Sequence, residues 1–88
     1  MHVTHRLIGY DKQTDRMKFR FDIPDSMMPA AKMIAQVPQD DLDAAWSYPL
    51  SNAQTRNLAD LIGSTVDPNE AYFYLEAFAD KVPAGKVA

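Results

Sequence analysis

Along residues 16–23 every second side chain is apolar and the intervening ones are charged. The apolar set is Met17, Phe19, Phe21 and Ile23, and the charged set is Arg16, Lys18, Arg20 and Asp22. A period of two predicts a β-strand with one buried face. Residues 3–10 precede it across a polar loop at residues 11–15, so the two stretches are predicted to form an antiparallel hairpin. This loop places Leu7 opposite Phe19 and Arg6 opposite Arg20.

Residues 71–80 are the most aromatic part of the chain, with four of its eight Tyr and Phe residues and no Gly or Pro. A period of two divides them into an apolar side and a mixed side, namely Phe73, Leu75, Ala77 and Ala79 against Tyr72, Tyr74, Glu76 and Phe78. Aromatic rings suit a pleated surface, which favours a strand. A helix is the alternative, because Asp67-Pro68 and the following residues have the order of a helix start. A helix would, however, turn rings to every side.

Two helices are predicted between these strands. The first is capped by Asp25 or Ser26 and runs to about residue 36. Its apolar stripe consists of Met27, Met28, Ala31, Ile34 and Ala35. The second begins with a capping box of Ser51 and Gln54 and ends at Gly63. For residues 38–50 the sequence allows two predictions, a short helical turn or an extended bridge near residue 48.

This order of elements predicts an α+β fold. A small three-stranded antiparallel sheet, made of the N-terminal hairpin and the C-terminal strand, would carry both helices on one face. Residues 1–80 would form the domain and residues 81–88 a C-terminal tail. The other sheet face would stay open and display rings beside charged side chains, namely Arg6, Ile8, Tyr10, Lys18, Arg20, Tyr72, Tyr74, Glu76 and Phe78.

Composition and charge narrow the class of protein. The chain has no cysteine, which excludes a disulfide framework and a thiolate zinc site. No stretch approaches the ~20 apolar residues of a membrane helix, and the N-terminus lacks the apolar core of a signal peptide, so a cytoplasmic protein without membrane contact is expected. The net charge of -3 is uneven: residues 1–24 hold five basic against three acidic residues, and residues 25–80 hold two against nine.

Candidate catalytic and metal-binding residues are few. His2 and His5 would point to opposite faces of a strand, so they are poor co-ligands, and His5 is expected at the edge of the core. The acidic residues at 40–43 lack the glycine turn and the later glutamate of a calcium loop. Glu76 is the best candidate for acid–base chemistry, but pairing with Arg6 or another cation on its face is favoured. The chain is therefore predicted to be no enzyme and to use no cofactor.

An exposed aromatic and basic patch of this size is typical of an interface. The chain is therefore predicted to be a protein-binding domain that uses the open face to contact another protein or to form a homodimer. The same face would suit a small ligand or single-stranded nucleic acid, because bases stack on aromatic rings. The net negative charge argues against nucleic acid, which is kept as the alternative.

Short motifs along residues 8–80 resemble a small bacterial family of uncharacterised domains. They are Tyr10-Asp11-Lys12, Phe21-Asp22-Ile23-Pro24, Tyr48-Pro49-Leu50 with Gln54, and YFYLEAF at residues 72–78. The resemblance implies a bacterial cytoplasmic protein and favours a strand at residues 71–80, but it carries over no activity and no site residue. Small acidic bacterial proteins often act as inhibitors or as immunity partners of a basic toxin, and the acidic residues 25–80 would suit such a partner.

Overall fold

The computed structural model describes residues 2–80 and arranges them as four strands and two helices. In chain order these are β1 (His2–Tyr10), β2 (Met17–Ile23), α1 (Met28–Ala35), β3 (Tyr48–Pro49), α2 (Asn52–Leu61) and β4 (Tyr72–Asp80). A 3-10 turn at Asp25–Met27 leads into α1. The predicted α+β class with two helices is confirmed, whereas the tail predicted at residues 81–88 lies outside the described residues.

The strands form one antiparallel sheet in the order β2-β1-β4-β3. β1 lies between the other two long strands and pairs with β4 along its full length. The prediction of three strands is wrong because β3 adds a fourth, in which Tyr48 pairs with Leu75 and Pro49 with Tyr74. A two-residue strand carries no periodic pattern, and its proline is tolerated only because β3 is at the sheet edge.

The aromatic segment at residues 71–80 is extended, which excludes the helical alternative. Its apparent helix start is a turn, in which the Asn69 N–H donates to Asp67 Oδ1 at 2.9 Å and the Glu70 N–H donates to the Asp67 carbonyl at 3.0 Å. This is the local hydrogen bonding by which aspartate stabilises turns. The extended conformation buries Phe73 and Leu75, which are 3% and 0% exposed, on a single side of the strand.

The N-terminal hairpin is confirmed, but its predicted register is wrong by two residues. Leu7 lies opposite Phe21 where Phe19 is predicted, and Arg6 lies opposite Asp22. A two-residue shift leaves side chains on their predicted faces, because side-chain direction along a strand repeats every second residue. The alternating pattern therefore determines the faces of the two strands but not their alignment.

The cause of the shift lies at the tip of the hairpin. Tyr10 pairs with Met17, so the loop runs over residues 11–16, and the Asp11 N–H closes it on the Arg16 carbonyl at 2.8 Å. The pairing then skips Lys18, which forms a β-bulge. Met17 is 46% exposed, which corrects the prediction that it belongs to the buried side of the strand.

The two helices begin differently. The predicted capping box of α2 is confirmed, because Ser51 Oγ accepts from the Gln54 N–H at 3.1 Å and Gln54 Oε1 accepts from the Ser51 N–H at 2.8 Å. No side chain caps α1. The predicted cap at Asp25 or Ser26 is wrong because both residues lie inside the 3-10 turn that precedes the helix.

Both helices pack on one side of the sheet, termed the covered face. The core joins sheet and helix residues and consists of Leu7, Ile23, Met28, Ala31, Ala35, Ala44, Leu58, Ala59, Ala71, Phe73 and Leu75. Phe19 stacks on Phe73 there, with ring centroids 5.6 Å apart. Neither helix contributes to the opposite side, termed the open face, whose side chains stand outside this core.

A buried histidine holds the loop before β3 to the sheet. His5 is 8% exposed and donates from Nε2 to the carbonyl oxygens of Asp43, at 2.9 Å, and Ala44, at 3.3 Å. Ala44 itself is fully buried. The predicted place of His5 at the edge of the core is confirmed, and its contacts fix the loop that ends at Ser47.

Candidate protein-binding face

Side chains on the open face form rows that cross the sheet. Across β1 and β4 the rows pair Tyr10 with Tyr72, Ile8 with Tyr74, Arg6 with Glu76, and Thr4 with Phe78. On the other side of β1, Arg20 lies opposite Ile8. The sheet thus brings the predicted face residues together, except that Lys18 is displaced into the bulge.

The hydrophobic side chains of the open face differ in exposure. Tyr72 is 52% exposed, while the other three rings are half-buried. Ile8 is 0% exposed, so the prediction that it is displayed is wrong. The reason is the Tyr10 side chain, whose hydroxyl reaches Glu76 two rows away, so that its ring crosses the row of Ile8.

Three tyrosines line an open hollow of about 320 Å³ on this face, termed the tyrosine pocket. Its lining consists of Tyr10, Asp15, Ser47, Tyr72, Tyr74 and Glu76. The Tyr10 and Tyr74 rings meet edge to face, with centroids 5.6 Å apart and planes at 72°. This is a favoured geometry for two aromatic rings. The tyrosine pocket therefore combines aromatic walls with two carboxylates, from Asp15 and Glu76.

Glu76 is the polar centre of the tyrosine pocket. The Tyr10 hydroxyl lies 3.0 Å from both carboxylate oxygens, and Ser47 Oγ donates to Oε2 at 3.0 Å. Burial, together with the hydrogen bond to Glu76, raises the pKa of the Tyr10 hydroxyl above its ordinary value. The hydroxyl therefore stays protonated as a donor, and its bond to the carboxylate holds the Tyr10 ring in place.

Arg6 occupies the middle of the open face. Its backbone lies opposite that of Glu76, and its Nε donates to Asp22 Oδ1 at 2.8 Å. Its guanidinium carbon lies 4.7 Å from the centroid of the Phe78 ring, within the range of a cation–π contact. Arg6 thus connects the charged and aromatic parts of the face.

The other two predicted cations, Lys18 and Arg20, differ in their partners. The Lys18 ammonium lies 3.9 Å from Glu70 Oε2, in the turn before β4. Arg20 is exposed and forms no hydrogen bond or ion pair with any other side chain that the structure describes, which covers residues 3–78. Its guanidinium group is therefore available to a group outside that segment.

Sequence reasoning missed two residues of the tyrosine pocket, Asp15 and Ser47. Asp15 stands in the hairpin loop with a left-handed φ of 60°, and its position follows from a register that alternation does not determine. Ser47 is 29 residues from Glu76 along the chain and reaches it because the preceding loop is anchored on His5. No local signal in the sequence links either residue to the aromatic strand.

A wider cavity of about 630 Å³ lies on the helical side, between α1 and residues 36–42. Met33 and Leu42, which are 80% and 75% exposed, contribute to it. Its two charged groups already have partners: the Lys32 ammonium donates to the Leu42 carbonyl, and Asp41 accepts from the Tyr48 hydroxyl. This groove therefore offers a partner mainly apolar contacts.

The acidic loop has a structural role in this fold. Hydrogen bonds from the Ala45 N–H, the Tyr48 hydroxyl and the Trp46 N–H lower the pKa of Asp41 below its ordinary value. Among the side chains that the structure describes within residues 2–80, no group of three or more histidines or carboxylates is placed to hold a metal ion. No helix in the same segment has the length and apolar character needed to cross a membrane.

Comparison with known protein families identifies a related domain over most of the chain. The matching family model, described as a domain of unknown function (DUF7683), covers residues 5–76. No curated protein and no solved structure matches the chain. The match confirms the resemblance to a family of uncharacterised domains, and it assigns no activity, ligand or site residue.

Proposed function

This chain belongs to the DUF7683 family, and from the geometry of its open face we propose that it is a non-enzymatic domain that binds another protein through that face. The observation that carries the proposal is the set of four rings on one uncovered side of a sheet, with Tyr72 52% exposed. Tyrosine and arginine are the side chains that most often dominate the energy of protein interfaces. Both residue types stand together here.

The rings of the open face are already held in place before a partner binds, which supports this proposal. The Tyr10 ring is held by its hydroxyl bond to Glu76 and by its contact with Tyr74, and Phe78 is held by Arg6. A partner would therefore meet side chains that have already lost much of their rotamer freedom. Ordering of each free side chain on binding costs roughly 0.5–1.5 kcal/mol, so this arrangement favours association.

A non-enzymatic role is favoured by the surroundings of Glu76. Both of its oxygens accept hydrogen bonds from hydroxyl groups of the protein, which gives the carboxylate a task in positioning Tyr10 and Ser47. His5 belongs to the covered side of the sheet and bonds to the loop there. The proposal thus treats Glu76 as a structural part of the interface.

Single-stranded nucleic acid is the alternative occupant of the open face. Two of the cations that would bind phosphates there, Arg6 and Lys18, are already paired with Asp22 and Glu70. A phosphate would compete with these carboxylates for the same cations, and Glu76 would repel it. The charge arrangement therefore favours a protein partner.

Two more specific parts of the proposal concern the cellular location and the biological role of the domain. We place the domain in the bacterial cytoplasm, as the motif resemblance implies, and an inhibitor or immunity-type role is the specific case that its charge supports. Nine acidic residues against two basic ones at positions 25–80 would steer a basic partner toward the domain. Such a partner would be recognised by its own basic composition.

Site-directed photo-crosslinking in the producing cells tests the proposed interface. A benzoylphenylalanine at position 72 should form a discrete protein adduct. The same probe at Met33, which is more exposed but lies on the helical side, should form several-fold less. Introducing Tyr74→Glu should remove the adduct from position 72 while the circular dichroism spectrum stays unchanged. Peptide sequencing of the adduct then identifies the partner.

Two results would contradict the proposal. Equal adduct formation from positions 72 and 33 would show that the open face has no special role. An adduct that is removed by nuclease, with no peptide attached, would assign the face to nucleic acid.

A further inference from the structure

Resting on the proposed function, we propose that the partner is a second copy of this chain, bound face to face. Arg20 of each protomer would enter the tyrosine pocket of the other, with its guanidinium group between the rings and beside Glu76. A symmetric contact of this kind requires one surface that carries both a donor group and its complementary site. The open face carries both.

In the order of the strands, Arg20 and the tyrosine pocket lie on opposite sides of β1, as a two-fold contact requires. Arg20 is on β2, the tyrosine pocket is on the side of β4 and β3, and β1 separates them. Arg20 and Tyr74 are in one row, because each lies opposite Ile8. A two-fold axis along β1, in the plane of contact, would therefore place β2 of each protomer against β4 of its partner.

Charge complementarity selects the group that enters the tyrosine pocket. The lining contains two carboxylates, from Asp15 and Glu76, and no basic residue. Arg20 is exposed and has no ion-pair partner among the described side chains of residues 3–78. A guanidinium group suits both the carboxylates and the rings of the tyrosine pocket, because it donates two parallel hydrogen bonds to a carboxylate and stacks on aromatic faces.

The distances suit a contact between faces. Sheets that pack face to face lie about 10 Å apart, and an extended arginine side chain bridges most of that gap. Pairing through the outer edge of β2 is disfavoured, since that edge strand carries Lys18 in a bulge together with Arg20. Charges and bulges on edge strands are the usual protection against edge pairing.

Charge-swapped variants test this arrangement directly by sedimentation equilibrium. The unaltered protein should be dimeric, and Arg20→Glu and Glu76→Arg should each weaken the dimer at least ~30-fold, as losses of buried charge pairs do. Mixing the two variants should restore a dimer, because the Glu at position 20 then meets the Arg at position 76 while the native pair forms at the second site. Arg56→Glu, an exposed charge change on α2, is the matched control and should leave the dimer intact.

Glu76 also holds Tyr10 and Ser47, so Glu76→Arg can disturb the local structure. A second variant of the tyrosine pocket separates that effect from the loss of the contact. Asp15→Lys changes the other carboxylate of the tyrosine pocket, in an exposed loop, and should weaken the dimer and recover on mixing with Arg20→Glu. A dimer that tolerates all of these changes, or variants that do not recover on mixing, would overturn the inference. A monomeric protein that still gives the crosslink from position 72 to a different protein would overturn it too, and would leave the proposed function standing.

Discussion

The two faces of the sheet use the same strands for different purposes. On the covered face Leu7 and Leu75 are 0% exposed and Phe73 is 3% exposed, and all three pack against the helices. On the open face Tyr72 is 52% exposed, and Tyr10 is held by its hydroxyl group. Neighbouring residues of β4 therefore belong to two different environments.

The difference teaches how so small a domain can be both stable and able to bind. Full burial of a Leu or Phe side chain contributes about 1.5–3 kcal/mol, and the covered face concentrates that contribution. The open face instead keeps its rings in place with directed contacts, such as the hydroxyl bond of Tyr10 and the cation over Phe78. Changes on the two faces should accordingly separate stability from association.

The largest contrast is expected between Leu75→Ala and Tyr72→Ala. The first change opens a cavity in the core and should lower the free energy of unfolding by about 2–5 kcal/mol. The second removes an exposed ring, over which the Lys12 ammonium lies at 5.4 Å, and should cost less than about 1 kcal/mol. Urea denaturation followed by circular dichroism measures both values, and similar losses would contradict the division between the faces.

A smaller loss of stability is expected from Gly9→Ala, on the covered side. A Cβ at this position would lie 2.7 Å from Phe73 Cε1 and 3.0 Å from Phe19 Cδ2, so the stacked rings would have to move apart. Overpacking of this kind costs typically ~1–3 kcal/mol. Gly63→Ala is the matched control, because an added Cβ there meets no atom within 4 Å and the only strain comes from its φ of 73°. A Gly9→Ala variant that keeps the stability of the unaltered protein would show that space at Gly9 is not limiting.

The faces of the sheet could be predicted from the sequence because alternation is a local property. The capping box of α2 was predictable for the same reason, since Ser51 and Gln54 are three positions apart. Register was not, because a shift of two residues preserves every face, and only the bulge at Lys18 and the longer loop decide between the alignments.

The candidate site shows the same limit more strongly. The rings of the open face were predictable from β4 and β1, but the tyrosine pocket also needs Asp15 and Ser47, which reach it through tertiary contacts. The burial of Ile8 depends on a hydroxyl bond between Tyr10 and Glu76, two residues that are 66 positions apart. Such long-range hydrogen bonds leave no periodic trace in a sequence.

The smallest expected difference between the two faces concerns the hydroxyl groups of two tyrosines. Tyr48 lies on the covered side, opposite Leu75, and donates to Asp41, while Tyr10 lies on the open side and donates to Glu76. The hydrogen bond to Asp41 raises the pKa of Tyr48 to about 12. A pKa that is higher in the folded than in the unfolded chain means that this bond stabilises the fold fully below pH ~10, the ordinary tyrosine value, and is lost as the pH rises through about 12.

Asp41→Asn should therefore lower the pKa of Tyr48 from about 12 toward the ordinary value of ~10. Carbon NMR of ring-labelled tyrosine measures this shift, because it follows each of the four tyrosines separately through the titration. Asp40→Asn is the control: Asp40 acts on Tyr48 only through its charge, the smallest of the causes, so the shift should be much smaller. The Tyr10 titration on the open face should not respond to either change, because its carboxylate partner is Glu76. Equal effects of Asp41→Asn and Asp40→Asn on Tyr48 would mean that general charge, and not the hydrogen bond, sets this pKa.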